Sequence, residues 1–242
     1  MKDDVLTTRV TDGVAVITLG SATRIYFDEE MGDALTEVLE GFAGDLNVRV
    51  VIVTGGAPGY FNRHFSIPAL IEIAESLRAS GRQWPEDATY NGGFFDKAMA
   101  LCESMPKPVI AAISGTALAG AFEFALSCDL RIAEDGDYLI GFPEAELGLV
   151  PGAGGTQRLP RIIGTPAALM HILMGQPLNP REAKGKGWYT RPSAARLSIV
   201  RWRLRGDCRR IRRKPWPTSS VWSATPLKCR WRRDWRSNEI SS

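Results

Sequence analysis

Two glutamates stand where acid–base chemistry could be done. Glu123 sits in the middle of VIAAISGTALAGAFEFALSCDLRIA, residues 109 to 133, a stretch that is almost wholly apolar or small. A carboxylate in such a setting is costly to bury without a partner. With a helix starting at about Ala119, Thr116, Gly120, Glu123 and Ser127 share one face. Ala121, Phe122 and Ala125 take the other. The spacing predicts a carboxylate on a small, partly polar stripe, away from packed phenylalanines. Gly120 falls in the first turn, where backbone N–H groups lack intrahelical partners. Without a Cβ there, a substrate oxygen could approach those groups closely. An N–H donor one turn from a carboxylate is half of an acid–base site. The same spacing equally suits an acid stabilised by the helix dipole, and spacing alone leaves both readings open.

The second glutamate lies in GFPEAELGLVPGAGGTQRLPRIIG, residues 141 to 164. Glu144 follows Pro143 at an expected strand end, and a glycine-rich turn and a helix come next. Sheet ends that feed such turns are where α/β proteins place ligands. PGAGG is neither G-x-G-x-x-G nor a P-loop, so it does not indicate a nucleotide. Glu146 points the other way if the strand continues. Both acids could equally belong to a solvated loop.

These residues need a scaffold, and the chain up to about residue 187 supplies one. VTDGVAVITL (10–19) alternates around Asp12-Gly13, which predicts a hairpin. FDEEMGDALTEVLEGF (27–42) sets Phe27, Met31, Ala34, Leu35, Val38, Leu39 and Phe42 along one helical face, with Asp28 as cap. VRVVIVTGG (48–56) reads as a buried strand. Ser66 and Pro68 open a short helix, 78–93 reads as a loop, and 94–105 is amphipathic again. A strand at PKPVIAAIS, a helix near Gly120, strands near 130–133 and 138–142 and a helix near 153–164 follow. Strand–helix alternation implies a largely parallel sheet covered by helices. The stretch 109–128 has the length of a membrane span. Its glycines, its serine and above all Glu123 favour a strand running into a buried helix instead.

The 242 residues carry a formal net charge of +3 that hides a split. Residues 1–184 hold 14 Lys+Arg against 24 Asp+Glu, a net of −10. Residues 185–242 hold 16 against 3, a net of +13, with six of the seven tryptophans. That last part has few aliphatics and no sustained period, a composition that buries too little surface to offset chain entropy. We expect irregular or poorly ordered structure there. The four cysteines form neither a C-x-x-C pair nor a metal cluster with the two histidines. They read as reduced thiols of a cytoplasmic protein, and the acidic start MKDDVLTTRV is no secretory signal.

Taken together, KPVIAAISGTALAGAFEFALSCDLRIA and GFPEAELGLVPGAGGTQRLPRIIG resemble the enoyl-CoA hydratase/isomerase, or crotonase, family over about residues 5 to 187. The resemblance implies an α/β fold, a spiral of ββα units with a mostly parallel core sheet covered by helices. It implies an oxyanion hole of two backbone N–H groups gripping a CoA thioester carbonyl, with Gly120 as one donor. Glu123 and Glu144 match the two acids of members that are hydratases. Gly152 matches a backbone position near the attacking water. The implied reaction is hydration of a 2-enoyl-CoA to a 3-hydroxyacyl-CoA, with no metal and no cofactor beyond the CoA of the substrate. A homo-oligomer, trimer or hexamer, is implied as well.

The match departs in two places. The family shows a Phe, a small residue, Ala-Gly, the second donor and an acid, where this chain shows FNRHFSIPAL. Alignment on Phe61 makes Phe65 the donor, puts Arg63 and His64 at the Ala-Gly positions and Ser66 at the acid. Arg63 then becomes a candidate for a CoA phosphate, and His64 for proton transfer or a structural role. The second departure is the basic Arg/Trp-rich tail, 188–242, which replaces an amphipathic helical end and reads as a shifted reading frame. Its RRIRRKPW and KCRWRRDWR suit phosphate contact and base stacking. We read it as a nonfunctional tail before a nucleic-acid or anionic-surface binder. Within the fold, double-bond isomerisation or acyl-CoA hydrolysis stands as the alternative reaction.

Overall fold

A computed structural model of the chain describes residues 5–81, 94–189 and 192–193. Strands β1 (Leu6–Thr11) and β2 (Val14–Leu19) form the expected antiparallel hairpin. Its two turn residues, Asp12 and Gly13, have φ of 53° and 82°. That left-handed pair is what a two-residue hairpin turn needs to match the strand twist. Beyond β2 every pairing in the large sheet is parallel. The order is β1-β2-β3-β5-β7-β9, with β3 at Val50–Gly55, β5 at Val109–Ile113, β7 at Leu130–Glu134 and β9 at Pro192–Ser193. The β-branched run of β3 is buried from Val50 to Thr54, as a parallel strand covered on both faces must be.

A second sheet of three short parallel strands, β4 (Tyr60–Asn62), β6 (Thr116–Leu118) and β8 (Ile140–Gly141), lies beside it. Three times the chain leaves the large sheet, adds a strand to the small one and turns into a helix. That repetition is the expected spiral of ββα units. The helices are α1 (Glu29–Gly44), α2 (Ile67–Ala79), α3 (Phe94–Ser104), α4 (Gly120–Ser127), α5 (Gly155–Ile163), α6 (Thr165–Met174) and α7 (Pro180–Gly185). The Asp28 side chain caps α1 by accepting the Met31 N–H at 2.9 Å, and Met31, Leu35 and Leu39 are buried beneath it.

The apolar stretch 109–128 is thus two short strands and a short helix. Among the described residues no helix is long and apolar enough to cross a membrane. Helix α2 forms where expected, capped by Ser66, yet none of its residues is buried. Most of the loop expected at 78–93 and nearly all of the tail lie outside the described residues. Trp188 and Tyr189, placed with the tail by the sequence reading, are buried in the core. Trp188 stacks on Phe122 at 5.0 Å and meets His171 edge-on at 4.9 Å.

Candidate active site

The small sheet delivers the site. After β6 the chain reverses at Ala119, whose φ of 51° and ψ of −127° are rarely adopted by a residue with a Cβ. The turn is held from both sides. The Ala119 N–H donates to Gly141 O at 2.9 Å, and its carbonyl accepts from Phe122 and Glu123 N–H at 2.9 and 3.0 Å. Gly120 is the first residue of α4, and a Cβ built on it would meet nothing within 4 Å. Its backbone borders open space. Two expectations need correction here. Thr116 lies on β6, so it is not part of the helical face with Glu123. The small, partly polar stripe of Gly120, Glu123 and Ser127 remains, but Glu123 and Ser127 on it are buried and Phe142 lies near it.

Glu123 is 3% exposed, and its partners come from elsewhere in the chain. Oε1 accepts the N–H of Ala153 at 2.8 Å and that of Gly155 at 2.7 Å. Both donors belong to the turn that opens α5, so the hydrogen bonds to this acid come from there, while the acid itself lies in the first turn of α4. PGAGG is built for that contact. Gly154 has a φ of 94°. A Cβ on Gly155 would fall 2.4 Å from Phe142 Cζ and 3.0 Å from Glu123 Cγ. Glu123 therefore does sit near a phenylalanine, contrary to the stripe argument. Burial is the main reason its carboxyl is pushed up to about 7. The two N–H bonds and the Arg158 charge oppose that push, and the Asp96 charge adds to it.

Glu144 opens a single 3-10 turn, Glu144–Leu147, instead of ending a strand. Its Oε2 is buried and has no hydrogen-bond partner among the described residues. Burial, joined by the charge of Glu123, pushes this carboxyl up to about 7 as well. Glu146, two residues on, is exposed. The solvated-loop alternative fits Glu146 and not Glu144.

The 63–65 segment reaches the same corner. The Arg63 carbonyl accepts from Leu118 N–H at 3.0 Å, on the β6 side. His64 O and Ser66 N–H face Phe27 instead, at 2.9 and 2.8 Å. In extended backbone the carbonyl of one residue and the N–H two residues later point the same way. The Phe65 N–H is thereby directed to the β6 side, from which the chain continues to Gly120. His64 Nδ1 lies 2.6 Å from Phe65 O. A carbonyl only accepts, so Nδ1 carries the proton. The ring packs 4.8 Å from Tyr26, and Arg63 donates to the Tyr26 hydroxyl at 3.0 Å. Gly152 is exposed and leaves Glu123 to its neighbours Ala153 and Gly155.

Sequence reasoning missed Arg158. Its Nη1 donates to Ala153 O at 2.6 Å, and its Nε to Glu103 Oε1 at 2.6 Å. The first contact is local and could have been foreseen from TQR following PGAGG. Glu103 is 55 residues away, and no local signal joins the two.

The family model for enoyl-CoA hydratase/isomerase matches residues 9–191. A probable enoyl-CoA hydratase of Bacillus subtilis (strain 168) is 37% identical over 174 residues, 72% of this chain and 63% of that protein. The fatty acid oxidation complex subunit alpha of Shewanella frigidimarina (strain NCIMB 400) is 33% identical over 73% of this chain and 24% of its own length. The chain thus spans less than two thirds of these relatives. Among solved structures, enoyl-CoA hydratase from Bacillus anthracis superimposes with a TM-score of 0.71 at 29% identity, covering 86% of this chain and 76% of that one.

Proposed function

For a chain that belongs to the enoyl-CoA hydratase/isomerase family, we propose hydration of a 2-enoyl-CoA thioester to the 3-hydroxyacyl-CoA. The observation that carries this reading is a pair of carboxyls: Glu123, buried at the start of α4, and half-buried Glu144, whose Oε2 is buried without a partner among the described residues and which feels the charge of Glu123. The N–H groups of Gly120 and Phe65 grip the thioester carbonyl oxygen. Enolate charge develops on that oxygen, and preorganised donors stabilise it there. Water adds its oxygen to C3, and the C2–C3 π electrons move toward the carbonyl. One carboxylate takes the proton lost by water, and the other carboxyl delivers a proton to C2. Burial raises both carboxyls and the charge of Glu123 raises Glu144 further, so one can stay protonated beside an ionised partner near neutrality. Gly152 borders the water, and Arg63, held against Tyr26, faces the CoA phosphates. His64 fixes the Phe65–Ser66 peptide through Nδ1.

The test is loss of the conjugated enoyl-thioester absorbance on adding the chain to a short 2-enoyl-CoA. Hydration is expected, and Glu123→Gln and Glu144→Gln should each lower kcat by roughly 10²- to 10⁴-fold. A folded sample with no hydration, or a Glu123→Gln variant as fast as the parent, would overturn the reading. Retained turnover in Glu144→Gln alone, with the double bond moved instead of hydrated, would assign isomerisation.

A further inference from the structure

Glu123 is held by a turn, and the turn is held by an arginine. Arg158 is one turn into α5, with its side chain 14% exposed. Its guanidinium lies against the Cα of Gly154, so closely that a Cβ there would fall 2.4 Å from Nη1. Nη1 donates to Ala153 O at 2.6 Å and touches Met99 Sδ at 3.5 Å. Nε pairs with Glu103 Oε1 at 2.6 Å. Met99 and Glu103 stand four residues apart on α3, so one face of that helix seats the arginine. From Ala153 the chain of contacts passes directly to Glu123, through the Ala153 and Gly155 N–H groups on Oε1.

We propose that Arg158, anchored by Glu103, is the positioning residue that sets the 153–155 turn, fixing Glu123 Oε1 under two N–H donors and leaving Oε2 as the oxygen that exchanges the proton. An oxygen that already accepts two N–H bonds is a poor site for a proton, so the protonated carboxyl carries it on Oε2. Lysine cannot replace this arginine fully, because a planar fork spans two acceptors and an ammonium is a point charge. The charged and titratable groups around Glu123 come from three elements. Arg158 on α5 opposes protonation, Asp96 on α3 favours it, and Glu144 opens the 3-10 turn opposite. Glu103, also on α3, acts through Arg158.

The kinetic part of this proposal rests on the hydratase reading; the titration part does not. The Glu123 carboxyl is followed by 13C NMR of side-chain-labelled protein, assigned by its loss in Glu123→Gln. In Arg158→Gln the Glu123 midpoint should rise by about one pH unit. Its kcat at pH 7 should fall roughly ten- to a hundredfold, with KM nearly unchanged. Arg158→Lys, which keeps the charge, should return the midpoint but only part of kcat. Glu103→Gln alters only the outer anchor, whose side chain is 42% exposed. It serves if Arg158→Gln does not fold, and its kcat should drop about three- to tenfold. A folded Arg158→Gln with the parental midpoint, or a Glu103→Gln with parental kcat, overturns the proposal. Absence of hydration by the parent chain overturns the function reading instead and leaves the NMR test standing.

Discussion

At the scale of single residues, the two acids make folding and chemistry compete. Each carboxyl has a folded value near 7, against an ordinary value of 4.5. The folded chain therefore binds more protons than the unfolded chain between those values. Stability carried by the neutral carboxyls is fully present below pH 4.5 and is lost as pH rises through 7. Glu123→Gln removes that dependence. Urea unfolding should find the variant close to the parent at pH 5 and more stable by about 2 kcal/mol at pH 8. Glu144→Gln should act in the same direction by less, because that residue is only half-buried. An equal gap at both pH values would mean that the Glu123 carboxyl does not titrate in this range.

At the scale of elements, the turn between β6 and α4 is where the fold carries strain. Ala119 is one of two residues other than glycine with positive φ among those described. The other, Asp12, is in a hairpin turn that favours that conformation. Ala119 is held there by the Gly141 carbonyl on one side and by the first N–H groups of α4 on the other. This orientation turns the start of α4 toward open space. Ala119→Gly should relieve the strain, offset in part by the extra freedom of glycine when unfolded. A gain of about 1 kcal/mol in unfolding free energy is expected, with hydration rates nearly unchanged. A loss of stability on this substitution would show that the methyl group packs rather than strains. Helix α2 teaches the opposite lesson. Its apolar period was legible, but Ile71 and Ile73 are 52% and 45% exposed, since a period says which residues share a face and not whether anything covers it.

At the scale of the whole molecule, the core does not stop where the composition changes. Trp188 is fully buried among Phe122, His171 and the Gly141 backbone. It stacks on Phe122 of α4, so the chain just past Gly187 helps to hold the helix that carries Glu123. Trp188→Ala should cost roughly 3–5 kcal/mol, the range for deleting a buried aromatic. Thermal unfolding would read this as a large drop in Tm, and hydration should fail at a lower temperature than in the parent. A Tm unchanged within a degree would place Trp188 outside the cooperative core.

Much of this was written locally in the chain. The Asp12-Gly13 hairpin, the Asp28 cap, the buried β3 run and the strand–helix alternation all depend on residues a few positions apart. Steric preference and amphipathic period act at that range. Glu123 and Glu144 stood out for the same reason, as carboxylates in apolar or glycine-rich surroundings. What each acid touches was decided elsewhere. The donors to Glu123 lie 30 and 32 residues downstream, and the arginine behind them is anchored 55 residues upstream of itself. Those contacts form only because parallel pairing of β5 with β7 and of β6 with β8 brings α4 and α5 together. A sequence records which groups are costly to bury, whereas the partner that makes burial tolerable is chosen by packing between distant segments.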